Sequence, residues 1–245
     1  MTDPAGAPAA PQPEKANLID DFLDIFGSPA TVFARRAAAN PMPYFLIVSL
    51  LLIGMFFVNR NMMAPIMDAE MQKGFEAAMK QNPQLTPEVV EKSKAMMMSI
   101  STITVIVVLP CSLLLLALVA WIVGKLLGGT LSYGTALLIS SFAWLPRVVE
   151  AVINSVQGLL MDVTKMTSHY QLTLSAARFL DAATASPMML ALTGRVDLIT
   201  LWVTALFAVG LVYAGKVPKA QMIVAGLAMW VIGAIPAVWG ALRAG

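Results

Sequence analysis

Apolar residues in this chain gather into long unbroken runs that do not alternate with polar ones. A helix needs about 20 apolar residues to cross a bilayer, and an ionised side chain costs at least ~2.5 kcal/mol at its centre. Five stretches meet that condition, at about residues 42–59, 102–126, 133–157, 197–215 and 220–242. The first is built on PYFLIVSLLLIGMFFV and the second on TVIVVLPCSLLLLALVAWIVG. The third follows a Gly128-Gly129 turn and has ionised residues inside it, Arg147 and Glu150. The fourth is short, and the fifth carries Trp230 and Trp239, suited to anchor at the membrane interface. Strands of a membrane barrel would alternate in polarity over about 10 residues. The pattern therefore predicts an all-α integral membrane bundle of five transmembrane helices.

Outside the spans the pattern changes. Residues 1–16 are rich in Pro and Ala without an apolar core, which predicts a disordered tail, no signal peptide, and a first span that serves as an uncleaved anchor. Residues 17–40 predict two amphipathic helices. In the first, Leu18, Ile19, Phe22, Leu23 and Phe26 recur at helical spacing and Asp20, Asp21 and Asp24 take the other side. In the second, Ser28 is placed as N-cap and Pro29 as first-turn residue. Residues 60–98 predict a helical hairpin outside the bilayer, with one helix around Met67–Lys80, a proline-bearing turn over 82–87, and a new helix from near Thr86 that runs toward the second span. Residues 158–196 form an outer loop with a short helix near 172–181 and a stop at Ser186-Pro187.

Composition agrees with the runs. Of 245 residues 58% are apolar and 12% charged, with a mean hydropathy of +0.77, against roughly 25% charged in a soluble domain. A net charge of +2 provides no basic surface for nucleic acid. Cys111 and His169 are the single cysteine and histidine, so a disulfide framework, a Cys/His zinc site and paired-thiol chemistry are all excluded. Basic residues do not orient the bundle. With the amino terminus in the cytoplasm, Lys15, Arg35, Arg36, Lys125, Lys216 and Lys219 lie inside against nine bases outside, although the inner turns at Lys125, Lys216 and Lys219 hold no acids.

The order of motifs resembles the Ypt-interacting protein (Yip) family in its bacterial branch. Phe26-Gly27-Ser28-Pro29 through Phe33 precedes the first span, and GKLLGGTLSYGTALLISSFAWLP crosses the second turn and third span. DLITLWVTALFAVGLVYAGKVPKAQMIVAGLAMW, with Asp197 and Trp202, enters the fourth span. The resemblance covers roughly residues 20–242. It implies five spans, a cytoplasmic amino terminus, an outer carboxyl terminus, and a place in the bacterial cytoplasmic membrane. Eukaryotic members are described as binding Rab-type GTPases in vesicle traffic; bacterial relatives lack that pathway, and the role does not transfer. No catalytic residue follows from the resemblance.

Ionisable residues within a span are functional candidates by default. Arg147 and Glu150 stand three residues apart on one helical face, and the favoured reading is a pair that braces the bundle with Asp197 or Arg195 as further partners. The alternative is a polar pathway or recognition site. Pro110, Pro146 and Pro236 break helical hydrogen bonds at depth and predict fixed bends. Gly226, Gly233 and Gly240 repeat every seven residues and predict a packing seam, within the bundle or between copies of the chain. Met63, Met67 and Met71 share a helical face; a Cu(I) site is the weaker reading, because methionine also fills adaptable apolar contacts. The acids Asp20, Asp21 and Asp24 are expected to dock the amino-terminal helix on Lys125, Lys216 and Lys219, or to meet a cytoplasmic partner there.

Neither a nucleophile motif around His169 nor a phosphate-binding loop is present, which argues against an enzyme and against any cofactor or metal. The sequence points to a multi-pass membrane protein that organises membrane or binds a membrane or cytoplasmic protein partner. A small transporter or channel is the runner-up, and an assembly factor is not distinguishable from the first reading.

Overall fold

A computed structural model describes residues 17–81, 86–162, 166 and 168–244. The expected tail at 1–16 and most of the expected turn at 82–87 lie outside the described residues. The described chain is helical. α1 spans Leu18–Gly27 and α2 Pro29–Arg36. A capping box opens α1: the Asn17 side chain accepts from Asp20 N at 2.9 Å, and the Asp20 carboxylate accepts from Asn17 N at 2.9 Å. Ser28 stands at the N-cap position of α2 but forms no side-chain cap, so Pro29 with its preset φ starts that helix.

α3 (Met42–Gln81) and α4 (Pro87–Leu126) are each 40 residues long. At 1.5 Å per residue each reaches ~60 Å, about twice the hydrocarbon thickness of a bilayer. This corrects the expected separate helix at 67–80. Pro65 interrupts the hydrogen-bond ladder without ending α3, and the expected hairpin is the continuation of both spans past the apolar zone. The expected start near Thr86 is present: its side chain accepts from Val89 N, and Pro87 follows as the first helical residue.

The expected third span consists of α5 (Tyr133–Ala143) and α6 (Leu145–Leu160), broken at Trp144. Pro146 has no N–H to continue the ladder, and α6 restarts with proline in its first turn. Between α6 and Ser186, among the described residues, come two 3₁₀ turns, His169–Leu172 and Ala176–Phe179. Ser186-Pro187, read as a stop, instead starts α7 (Pro187–Arg195), with the Ser186 hydroxyl accepting from Met189 N. α8 (Leu198–Tyr213) is capped by Asp197, whose carboxylate accepts from Thr200 N at 2.7 Å, and α9 (Met222–Ala244) closes the chain.

Four segments are long and apolar enough to cross a membrane: α3, α4, the α5–α6 pair and α9. α8 is apolar but has 16 residues, ~24 Å of rise. α5 is central. Every residue from Ala136 to Ala143 is buried, and the helix packs against α3, α4 and α8, the signature of a helix apolar all round. The outer helices α3, α4 and α9 leave broad apolar surfaces exposed, including Leu50, Leu115, Ile223 and Leu227.

The α4–α5 and α8–α9 turns meet at one end of the bundle, where Thr130 N donates to Gly215 O at 3.1 Å. This is the turn end; the 3₁₀ segments and α7 cover the loop end. From the turn end, α1 and α2 enter the bundle as an antiparallel hairpin with its tip at Gly27-Ser28. Asp21, near the start of α1, meets Arg35 and Arg36 at the end of α2. The tip reaches inward: Phe26 lies edge-on to Trp202 at 5.3 Å, eleven residues or ~16 Å along α8 from Tyr213. Gly210 makes room for α2, since a Cβ there would stand 2.6 Å from Ile139 Cγ2 and 3.0 Å from Phe33 Cζ.

Candidate functional site

Charge inside this apolar bundle collects in two clusters. At the turn end, Asp21 is wholly buried. Its Oδ1 accepts from Arg35 Nε at 2.7 Å, and its Oδ2 from Arg36 Nε at 2.7 Å and the Tyr44 hydroxyl at 3.3 Å. Arg35 also reaches Asp24 Oδ2 at 2.8 Å. Asp20 is engaged in the α1 capping box. Two guanidinium groups thus surround one carboxylate, the condition under which a buried charge is tolerated. Around them Phe22 and Phe33 pack on Phe142, and Phe22 also meets Tyr44.

These contacts correct the expected docking on the inner lysines. Lys216 donates to Tyr213 O at 3.3 Å, and the Lys219 ammonium stands 5.6 Å from the Tyr213 ring. Lys125 is exposed. α1 does dock on the bundle, but through Asp21, Phe22 and Ile25, which leaves Ile19 and Leu23 outward at 69% and 68% exposure. The apolar face read from the sequence is therefore split between the bundle and the surroundings.

Toward the loop end, α6 presents Arg147 and Glu150 on one face, as their spacing implies. Arg147 Nη1 donates to Glu150 Oε2 at 2.7 Å, and Nη2 to Thr200 Oγ1 at 2.8 Å. Asp197 Oδ2 stands 3.7 Å from Arg147 Nη1 while it caps α8. Of the two expected bracing partners, Asp197 is here and Arg195 is not paired with Glu150. Arg195 instead clamps α7 to α9: Nη2 donates to Trp230 O at 2.8 Å, the guanidinium lies 5.6 Å from the Trp230 ring, and Trp230 Nε1 donates back to Arg195 O at 3.3 Å. Trp230 is thus engaged within the protein, whereas Trp239 is exposed beside Arg243.

The expected glycine seam divides into three environments. A Cβ at Gly226 would meet Ala208 Cβ of α8 at 3.3 Å, and one at Gly233 would meet Arg195 Nη2 at 3.1 Å. At Gly240 nothing lies within 4 Å. Of the three methionines on that face, Met63 packs beside Met62 against Ile66, Met166 and Leu172 under the loop-end cover, whereas Met67 is exposed. Among the described residues, no three His, Cys, Asp or Glu side chains converge as a metal site.

Reading the sequence for charge missed a neutral part of this network. The Asn59 amide of α3 donates to Met55 O at 3.0 Å and to Ala151 O of α6 at 3.1 Å, and its carbonyl oxygen accepts from Ser155 Oγ at 2.7 Å. Asn154 is beside them with its Oδ1 buried and unpartnered among the described residues. The signal was present, since Arg147, Glu150, Asn154 and Gln157 recur at spacings of three and four along α6. Above this stripe the loop-end segment is tied down: Arg178 donates to Gln157 Oε1 at 2.9 Å, Ser175 bridges Asp197, and the His169 ring pairs with Glu70 at 2.8 Å.

The arrangement holds helices together. A family model described as the Yip1 domain matches residues 23–240. Neither a curated protein nor a solved structure matches the chain.

Proposed function

The chain belongs to the Yip family, and from that premise we propose that it is a non-enzymatic membrane protein that binds partner proteins or organises membrane through its hairpin and turn end. In this reading all five apolar segments cross, the turn end faces the cytoplasm, and the carboxyl terminus lies on the far side of a bacterial cytoplasmic membrane. The short α8 completes its crossing with the hairpin tip, which fills the leaflet beside Trp202. The observation that carries the proposal is the fixed orientation of α1. Its inner side is locked by the buried Asp21, while Ile19 and Leu23, one turn apart, face outward from a rigid support. Such a ridge fits the apolar face of a partner helix, and Lys125, Lys216 and Lys219 stand at the same end of the bundle for an acidic segment.

Photo-crosslinking from positions 19, 23, 125 and 216 in native membranes tests this. A reproducible protein adduct from 19 or 23 is expected. Adducts with lipid and with the chain itself alone would overturn it.

A transporter or channel centred on Arg147 and Glu150 is the second reading, favoured by the break at Trp144 beside those charges. The donors of Arg147 are directed at Glu150 and Thr200, which weighs toward bracing. Solute flux through protein-loaded liposomes, abolished by Glu150→Gln, would support this second reading.

A further inference from the structure

Between α3, α4 and α6 lies a cavity of about 280 Å³, lined by residues that include Leu52, Phe56, Met63, Val105, Leu109 and Asn154. That volume lies just below the ~300–1,000 Å³ found for small-molecule sites. Its walls are apolar except at one end. The polar groups of Asn59 are engaged by Met55 O, Ala151 O and Ser155, so the open acceptor is Asn154 Oδ1, buried and without a partner among the described residues.

Depth gives the cavity a direction. Asn154 stands 21 residues beyond Tyr133, ~31 Å of helical rise, which is the edge of a hydrocarbon core ~30 Å thick. Leu109 is 17 residues from the end of α4, ~25 Å, and Leu52 ten residues into α3, ~15 Å. The acceptor therefore sits at headgroup depth, and the apolar walls continue toward the bilayer centre. We propose that this cavity holds one acyl chain of a membrane amphiphile whose head group presents an N–H or O–H donor to Asn154 Oδ1. The site is distinct from the hairpin ridge and from the Arg147 network, and it assigns α6 a recognition role beyond bracing.

The test uses the full-length protein in two sets of nanodiscs. One is phosphatidylethanolamine, which carries an N–H donor, and the other phosphatidylcholine, which carries none. Each is doped with its own lipid bearing a diazirine acyl chain, and labelled peptides are mapped by mass spectrometry. In phosphatidylethanolamine, labelling concentrates on residues 52–63, 105–109 and 151–154 rather than spreading over the lipid-facing helices. Leu109→Trp and Ala151→Phe fill the cavity from opposite walls and abolish that concentration, so failure of one variant to fold leaves the other to decide. Asn154→Leu removes the preference over phosphatidylcholine, a change of about three- to tenfold, the worth of one buried hydrogen bond. Even labelling of all lipid-facing helices, or a concentration that survives both filled cavities, overturns the proposal. Equal labelling in the two lipids overturns the donor requirement.

Discussion

Asp21 and Arg36 are 15 positions apart in the chain, and the carboxylate of one holds the guanidinium Nε of the other at 2.7 Å with Asp21 wholly buried. Removing one member of a buried pair leaves the other charge uncompensated, at a cost of about 3–5 kcal/mol. Asp21→Ala is therefore expected to lower the thermal midpoint in detergent markedly. Combining it with Arg36→Ala should cost less than the sum of the single changes, because the second removes the stranded charge. Additive losses in that double-mutant cycle would mean the two residues do not act as a pair.

Arg147 ties α6 to the start of α8 through Glu150, Thr200 and Asp197. With Arg147 about a quarter exposed, solvent screens part of the interaction, and Arg147→Ala is expected to cost about 2–3 kcal/mol. Loss of monodisperse protein on size exclusion checks this. A fully stable variant with lost flux would instead assign Arg147 to a pathway.

Close approach at Gly210 gives a steric prediction. Phe33 of the hairpin and Ile139 of α5 both occupy the space a Cβ would take. Gly210→Val should destabilise by about 1–3 kcal/mol through overpacking, read by unfolding in detergent. Gly240→Val, with nothing within 4 Å, should leave the midpoint unchanged in the monomer. A loss at Gly240 would reveal a contact between copies of the chain.

The loop-end cover should loosen in acid. Glu70 lies 28 residues into α3, ~42 Å along it and beyond the apolar zone. Burial would raise its pKa, but the hydrogen bonds from the ring and backbone of His169 prevail and hold it below the usual carboxylate value. A carboxylate with a depressed pKa contributes stability that is complete above its unfolded value and is lost as pH falls through the folded one. The protection of the His169 amide against hydrogen exchange, relative to its intrinsic rate, should fall over that interval, since that amide donates to Glu70 at 2.9 Å. Protection that holds through the acid range, or that falls equally in Glu70→Gln, would refute the link.

Local rules in the sequence were enough for the class and most helix positions. Long apolar runs require a bilayer and helices, whatever their neighbours, since backbone groups in lipid must be satisfied within the segment. The spacing of Arg147 and Glu150 places them on one face of any helix. Capping residues set several starts, at Asn17, Thr86 and Asp197. Those rules were ambiguous where a proline was involved. Pro65 lies inside α3, whose neighbouring turns carry the helix across the gap, and Pro187 begins a helix that the same dipeptide had suggested would end.

What stands opposite what was decided by the tertiary fold. From the sequence, Asp21 had Lys125, Lys216 and Lys219 as free opposite charges, and only the antiparallel turn at Gly27-Ser28 brings Arg35 and Arg36 nearer. The same insertion splits the α1 apolar face, because a helix seated in a bundle buries the side that fits its neighbours and leaves the rest outside. The cavity beside Asn154 had no trace in the runs either, since it lies between three helices distant in the chain. The sequence by itself thus determined the solvent of this protein and the periodicity of its helices, through local energies. The fold determined which charges pair and where space is left, because those depend on contacts between segments that no local rule relates.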